Sequence, residues 1–293
     1  MEKEIKLIVF DLDGTVLDHG KDVSDMTLAA LTRAHECGCV LAAATGRGLD
    51  MIPPEIMNHP AVGYIIGANG AVIMERAGKK MLSVREMEHD IVVELIKTAR
   101  RYGAGIELFY ANKSCYELRC IGMMMQFRHG KYAKVESSAW REMSSFFEFV
   151  KNIKVILSAK TIIKRKKEPI VKIAALFKKP DSFTRAFKDF RADERVEAAT
   201  TTGMDIEITA RDVTKGRAIL MLCHILKIEK DAVMAFGDSG NDLSMKGHVG
   251  TFVAMGNADD TVKAMADRIA PAVSENGVAR VLHEVFTPVI KSR

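Results

Sequence analysis

Short apolar runs recur along the chain at Ile5–Phe10, Val40–Ala44, Tyr64–Ile66, Val233–Phe236 and Thr251–Met255. They are continuous rather than alternating, which predicts parallel strands covered on both faces. Helical patterns lie between them. Ser24 is placed to cap one that carries Leu28, Leu31 and Ala34 on one face and stops at Gly38. Others run over Gly216–Leu226, Asp259–Ala266 and Val278–Phe286. Strand–helix alternation at both ends of the chain predicts one α/β domain with a doubly wound, mostly parallel, Rossmann-like sheet.

The middle of the chain has a different rhythm. A helix is expected at His89–Tyr102, then strands at Ile106–Tyr110 and Cys115–Leu118. A strand follows at Ile170–Phe177, a helix at Asp181–Phe190, and strands at Val196–Thr200 and Asp205–Thr209 with Gly203 at the turn between them. Helix–strand–strand thus appears twice, the pattern of a separate α+β module. The expected division is a core of residues 1–83 and 211–293, with an inserted α+β cap domain at 84–210.

Composition narrows the class. The chain has 293 residues and 48% hydrophobic content, enough for a sizeable core. Its 43 basic and 38 acidic side chains leave a net charge of only +5, which makes no case for nucleic acid. No apolar run is long enough to span a membrane. The charged opening MEKEIK does not read as a secretory signal. Five cysteines, Cys37, Cys39, Cys115, Cys120 and Cys223, lack zinc-ligand spacing and are expected to be reduced thiols of a cytoplasmic protein.

Ligands of an open parallel sheet bind outside the carboxyl ends of its strands. Here those ends carry Asp11 and Asp13; Thr45, Gly46 and Arg47; Asn69 and Gly70; and Asp238, Ser239, Asn241 and Asp242. Taken singly, each has an ordinary reading: surface acids, a helix cap, an acidic turn. Together they bring carboxylates, a hydroxyl, amides and open backbone to one edge. Clustered carboxylates raise one another's pKa, and a hard divalent cation such as Mg²⁺ relieves them. Asp11 and Asp238 are the expected direct ligands. Glycines such as Gly46 leave N–H groups for a phosphate, Thr45 adds a hydroxyl, and Lys215 adds a positive charge where a helix begins. The edge reads as a phosphate site with a metal.

At this point the chain resembles the haloacid dehalogenase superfamily of phosphohydrolases. "DLDGTVLD" is similar to its first motif, "ATGR" to its second, "TKG" to its third and "GDSGND" to its fourth. "GANGA", "IEITARDVTKGRAI" and "VAMGNADDTVKAMAD" resemble blocks of its Cof-type class IIB branch, the sugar-phosphatase-like one. The likeness covers residues 5–83 and 205–286; over the cap it rests on position and size.

The resemblance implies a Mg²⁺-dependent phosphatase for small phosphorylated metabolites. Asp11 would attack phosphorus to form an aspartyl-phosphate, and Asp13 would protonate the leaving oxygen and then activate water. The metal would bind Asp11, the backbone carbonyl of Asp13 and Asp238, with Asp242 in support. Thr45, Lys215 and Asn241 would hold phosphoryl oxygens. An acid at position 13 goes with phosphatases and phosphomutases of the superfamily, whereas its ATP-driven pumps have threonine there. A phosphomutase is the alternative reading; a binding protein without chemistry is disfavoured by the intact Asp11, Asp13, Lys215 and Asp238.

In such folds the cap meets the leaving group. Thr201, Thr202, Met204 and Asp205 at the hairpin tip, with Arg119 and Arg128, are the specificity candidates. The basic run Lys160–Lys167 reads as a solvated loop, because it lacks interleaved aromatics. The Met-rich "IGMMMQF" reads as adaptable packing. Neither the natural substrate nor the oligomeric state is legible.

Overall fold

The computed structural model describes residues 4–18, 23–128, 154–159, 168–201 and 203–286. The chain divides into two compact units, Met1–Val84 with Val213–Arg293, and Arg85–Asp212.

The first unit opens with β1 (Leu7–Phe10), α1 (Asp25–Glu36), β2 (Val40–Ala44), α2 (Pro54–Met57), β3 (Val62–Gly67), β4 (Val72–Glu75) and β5 (Lys80–Val84). It closes with α6 (Lys215–Leu226), β12 (Val233–Gly237), β13 (Thr251–Ala254), α7 (Asp260–Met265), β14 (Arg268–Ile269) and α8 (Gly277–Phe286). The strands form one sheet in the order β14-β13-β12-β1-β2-β3-β4-β5, parallel from β14 to β3 and antiparallel from β3 to β5. All four residues of β1 are buried, since both faces are covered, which is why its sequence is an unbroken apolar run. On one face Leu7, Val9, Ala42 and Ala44 pack with Ala218, Ile219, Leu222 and Cys223 of α6.

Local signals act as expected at α1. The Ser24 hydroxyl accepts the Thr27 N–H at 3.2 Å, a helix cap. One detail of that face differs: Thr27, Leu31 and Ala34 are buried, whereas Leu28 is half-buried. The antiparallel β4–β5 hairpin did not show in the apolar pattern, because β5 is an edge strand that begins at Lys80 and has no fully buried residue.

The second unit contains α3 (His89–Arg101), β6 (Gly105–Phe109), β7 (Ser114–Glu117), α4 (Leu118–Arg128), β8 (Lys154–Ile156), β9 (Lys172–Leu176), α5 (Pro180–Arg191), β10 (Val196–Ala199) and β11 (Asp205–Ala210). Its sheet runs β10-β11-β9-β6-β7-β8, antiparallel except between β7 and β8. Leu95, Ile96 and Ala99 of α3 and Ala186 and Phe190 of α5 share a core with Ile106, Leu108, Ile173, Ala175, Ile206 and Ile208. The residues alternating with these carry a buried ion pair, Lys172 Nζ to Glu207 Oε1 at 2.5 Å, with the ammonium 3.9 Å from the Phe109 ring centroid.

Candidate active site

The carboxyl ends of β1 and β12 lie side by side, because β12 pairs in parallel with β1. The Asp11 N–H donates to the Phe236 carbonyl at 3.0 Å, so the ladder extends into the first acid and fixes its backbone. Its side chain is buried. α6 starts at Lys215, one residue after its cap Thr214, and this start delivers the ammonium to the same edge. Lys215 Nζ stands 2.7 Å from Asp11 Oδ1 and 2.7 Å from Asp242 Oδ1. The other Asp242 oxygen, Oδ2, accepts the N–H groups of Asp238 at 3.0 Å and Ser239 at 3.1 Å. Asp242 therefore braces the loop that presents Asp238 while neutralising Lys215. Thr15 Oγ1 donates to Asp238 Oδ1 at 3.3 Å.

One ligand atom from each of Asp11, Asp238 and Asp242 fits within 4.8 Å of the others. Three carboxylates against one ammonium leave negative charge uncompensated. Burial, followed by repulsion from Asp242, pushes the Asp238 carboxyl up to about 7. Burial drives Asp11 well above the usual carboxylate range, with Lys215 opposing it and Asp242 and Asp238 adding to it. Burial works against the charge on Lys215, but Asp11 and Asp242 together outweigh it and hold its pKa above the ordinary value. An all-oxygen donor set with surplus negative charge fits a hard divalent cation.

Asp13 is not one of the three grouped acids. Arg47 Nε donates to its Oδ2 at 2.8 Å and Arg47 Nη2 to its Oδ1 at 2.6 Å. The metal contact expected of Asp13 is its backbone carbonyl, and its carboxylate is engaged by Arg47. Thr45 is buried, and its Oγ1 accepts the Arg47 N–H at 3.1 Å, so it caps its own turn. Gly46 lies in that same turn. Asn241 is buried; its Nδ2 donates to Asn69 Oδ1 at 3.2 Å and its Oδ1 accepts from Ser239 Oγ at 2.8 Å.

A family model described as haloacid dehalogenase-like hydrolase matches residues 8–282. The chain belongs to that family. It is 25% identical over 279 residues to a 5-amino-6-(5-phospho-D-ribitylamino)uracil phosphatase of Bacillus subtilis, covering 95% of each chain. A haloacid dehalogenase-like hydrolase structure from B. subtilis superposes with a TM-score of 0.83 at 23% identity, over 96% of this chain and 100% of the other. A subclass IIB sugar phosphatase superposes at 0.77 and 20% identity, again over 96% and 100%. The fold is thus that of the class IIB haloacid dehalogenase-like enzymes, and the chain is a phosphoric monoester hydrolase.

Among the specificity candidates of this haloacid dehalogenase-like hydrolase, Asp205 ties its own turn: its Oδ2 accepts from Thr201 Oγ1 at 2.8 Å and Thr201 N–H at 3.3 Å. The Met204 carbonyl accepts the Phe177 N–H at 2.8 Å. Arg119 Nη2 donates to the Gly103 carbonyl at 3.0 Å. Thr202, the Arg128 side chain and the run Lys160–Lys167 lie outside the described residues. All five cysteines are free thiols. Among the described residues no helix is long and apolar enough to cross a membrane. Arg47, Asn69, Ser239 and Thr15 had no role assigned from the sequence. The first three stand at strand ends beside assigned residues, and that adjacency was their one signal.

Proposed function

We propose that the chain is a Mg²⁺-dependent phosphatase for small phosphorylated metabolites and works through an aspartyl-phosphate at Asp11. The observation that carries the reading is the constellation of buried Asp11, Lys215 and Asp242 with half-buried Asp238 at one sheet edge. Asp11 and Asp238, the backbone carbonyl of Asp13, and Asp242 in support, would hold the ion. Bound Mg²⁺ supplies the positive charge that keeps the buried carboxylates ionised and offsets the charge on phosphoryl oxygens.

The chain's own groups do the rest. A carboxylate oxygen of Asp11 forms a bond to phosphorus as the bond to the ester oxygen breaks. Asp13, freed from Arg47 and protonated from solvent, gives that proton to the departing oxygen. It then takes a proton from the water that attacks the acyl phosphate, which restores Asp11 and releases phosphate. Asp13 must first leave its two-pronged pair with Arg47, so a side-chain rotation precedes proton transfer. Lys215, Thr45, the Gly46 backbone and Asn241 are assigned to the phosphoryl oxygens, where charge is spread in the transition state. The hairpin residues Thr201, Thr202, Met204 and Asp205 are proposed as leaving-group contacts.

The test is release of inorganic phosphate from a panel of phosphorylated sugars and ribityl and heterocyclic metabolites, with Mg²⁺ and with EDTA, beside Asp11→Asn. Metal-dependent release that vanishes in Asp11→Asn is expected. Full activity in Asp11→Asn would sink the mechanism. An isomerised sugar phosphate with little free phosphate would assign a mutase instead.

A further inference from the structure

Three consecutive residues after β3 sit at positive φ: Ala68 at 49°, Asn69 at 57° and Gly70 at 100°. All three are buried. For an alanine this region costs on the order of 1–2 kcal/mol, and such strain persists only where the surroundings over-determine it. The surroundings here are the site. The Ala68 N–H donates to the Arg47 carbonyl at 2.9 Å, and the Asn69 N–H to the Thr45 carbonyl at 3.0 Å. A Cβ on Gly70 would stand 2.3 Å from the Thr214 carbonyl oxygen, so only glycine lets the turn lie against the start of α6. One strained turn therefore touches both the Thr45–Arg47 turn and the residue before Lys215.

What that turn presents is the Asn69 side chain. Its Oδ1 accepts from Asn241 Nδ2 at 3.2 Å, while Ser239 Oγ donates to Asn241 Oδ1 at 2.8 Å. Rotating the Asn241 amide by half a turn would set its oxygen against the Asn69 oxygen. In this arrangement Asn241 donates from Nδ2 and accepts at Oδ1. Tolerance of left-handed backbone alone would account for an asparagine at position 69, but glycine would meet that need better. It does not account for a buried carboxamide aimed at Asn241.

We propose that Asn69 is a positioning residue for phosphoryl transfer, holding the Asn241 amide with its donor end set for a phosphoryl oxygen. The inference rests on the phosphatase reading, through the phosphate contact assigned to Asn241. Asn69→Gly separates the two roles of the residue, because it keeps the positive φ and deletes the amide.

The experiment compares wild type, Asn69→Gly, Asn241→Ala and the double variant with Mg²⁺ present. It reads kcat and KM for an aryl phosphate, the inhibition constant of inorganic phosphate, and Tm. Asn69→Gly should melt within about two degrees of wild type. Its kcat/KM and its affinity for inorganic phosphate should each fall about tenfold, a hydrogen-bond-sized loss. The double variant should be no worse than Asn241→Ala to within about twofold, because the second change removes what the first supports. Losses that multiply in the double variant would overturn the proposal, as would wild-type phosphate affinity in Asn69→Gly. A fall in Tm of more than about ten degrees would assign the amide to the fold and overturn it too. Wild-type behaviour of Asn241→Ala would remove the phosphate contact and this inference together, and leave the nucleophile test on Asp11 standing.

Discussion

Lys215 is fully buried, and the two carboxylates at 2.7 Å are what keep it charged. Removing one member of a buried ion cluster leaves the others uncompensated, a loss of about 3–5 kcal/mol. Lys215→Met should destabilise the metal-free protein by that amount at pH 8 and by clearly less at pH 5, where Asp11 and Asp238 can take up protons. Urea unfolding in EDTA at the two pH values checks this. The pH dependence belongs to the acids: the lysine's folded pKa lies above its ordinary value, so its own contribution holds at every pH below about 10. Asp238 sets a second expectation. Its folded pKa is raised, so its contribution to metal-free stability is complete below its ordinary value of 3.8 and is lost as pH climbs through about 7. A cation that needs the ionised form reverses that loss and releases protons on binding. The rise in Tm with Mg²⁺ should therefore be larger at pH 8 than at pH 6, and an equal or smaller rise at pH 8 would contradict the ligand role of Asp238. At this scale the strand-end positions of Asp11 and Asp238 were legible, because these acids follow apolar runs that end abruptly. Their pairings were not. Nothing in "DLDGT" or "ATGR" says that Arg47 turns both its nitrogens on Asp13, since spacing does not encode rotamers.

The elements that were legible are those with a strong local cause. β1, β2, β12 and β13 are buried on both faces and read as unbroken apolar runs; α1 has Ser24 as a cap. The ones that were missed have weak local causes and exist through pairing. β14 is two residues long and owes its place to β13, and β5 is an edge strand held by β4. The close approach of α6 to the short turn Asp242–Met245 was equally invisible in sequence. A Cβ on Gly216 would lie 1.9 Å from the Ser244 carbonyl oxygen, so the first turn of α6 must move if that glycine is replaced. Lys215 moves with it. A misplacement of about 1 Å in a catalytic site costs about a hundredfold in rate. Gly216→Ala should lower kcat/KM by that order while the protein still folds; kinetics beside a melting curve decides, and unchanged kinetics would show that Lys215 tolerates the shift.

Each unit has a core of its own, one around Leu7, Ile219 and Phe252 and the other around Ile106, Ile173 and Ile208. All the acids proposed to hold the metal belong to the first. Hydrogen exchange should therefore show Mg²⁺ increasing protection in β1, α6 and β12 and leaving β6, β9 and β11 unchanged; a uniform gain would contradict the separation. The two units divide near the two places where the hydrophobic rhythm changes along the chain. Which strands of the second unit adjoin was not legible in sequence, since β9 sits between β6 and β11 only through long-range pairing.

The order of synthesis gives the first unit a further property. Asp11 is made before its partners: the lysine that pairs with it comes 204 positions later, and Asp242 another 27 beyond that. The entire second unit is translated in between. A chain still on the ribosome, or one cut short before Asp238, carries the proposed nucleophile without the ammonium's second anchor or the acids proposed to gather a cation. Under the proposed mechanism such unfinished protein would be chemically silent, and phosphate hydrolysis would wait until both halves of the sheet edge have been brought together.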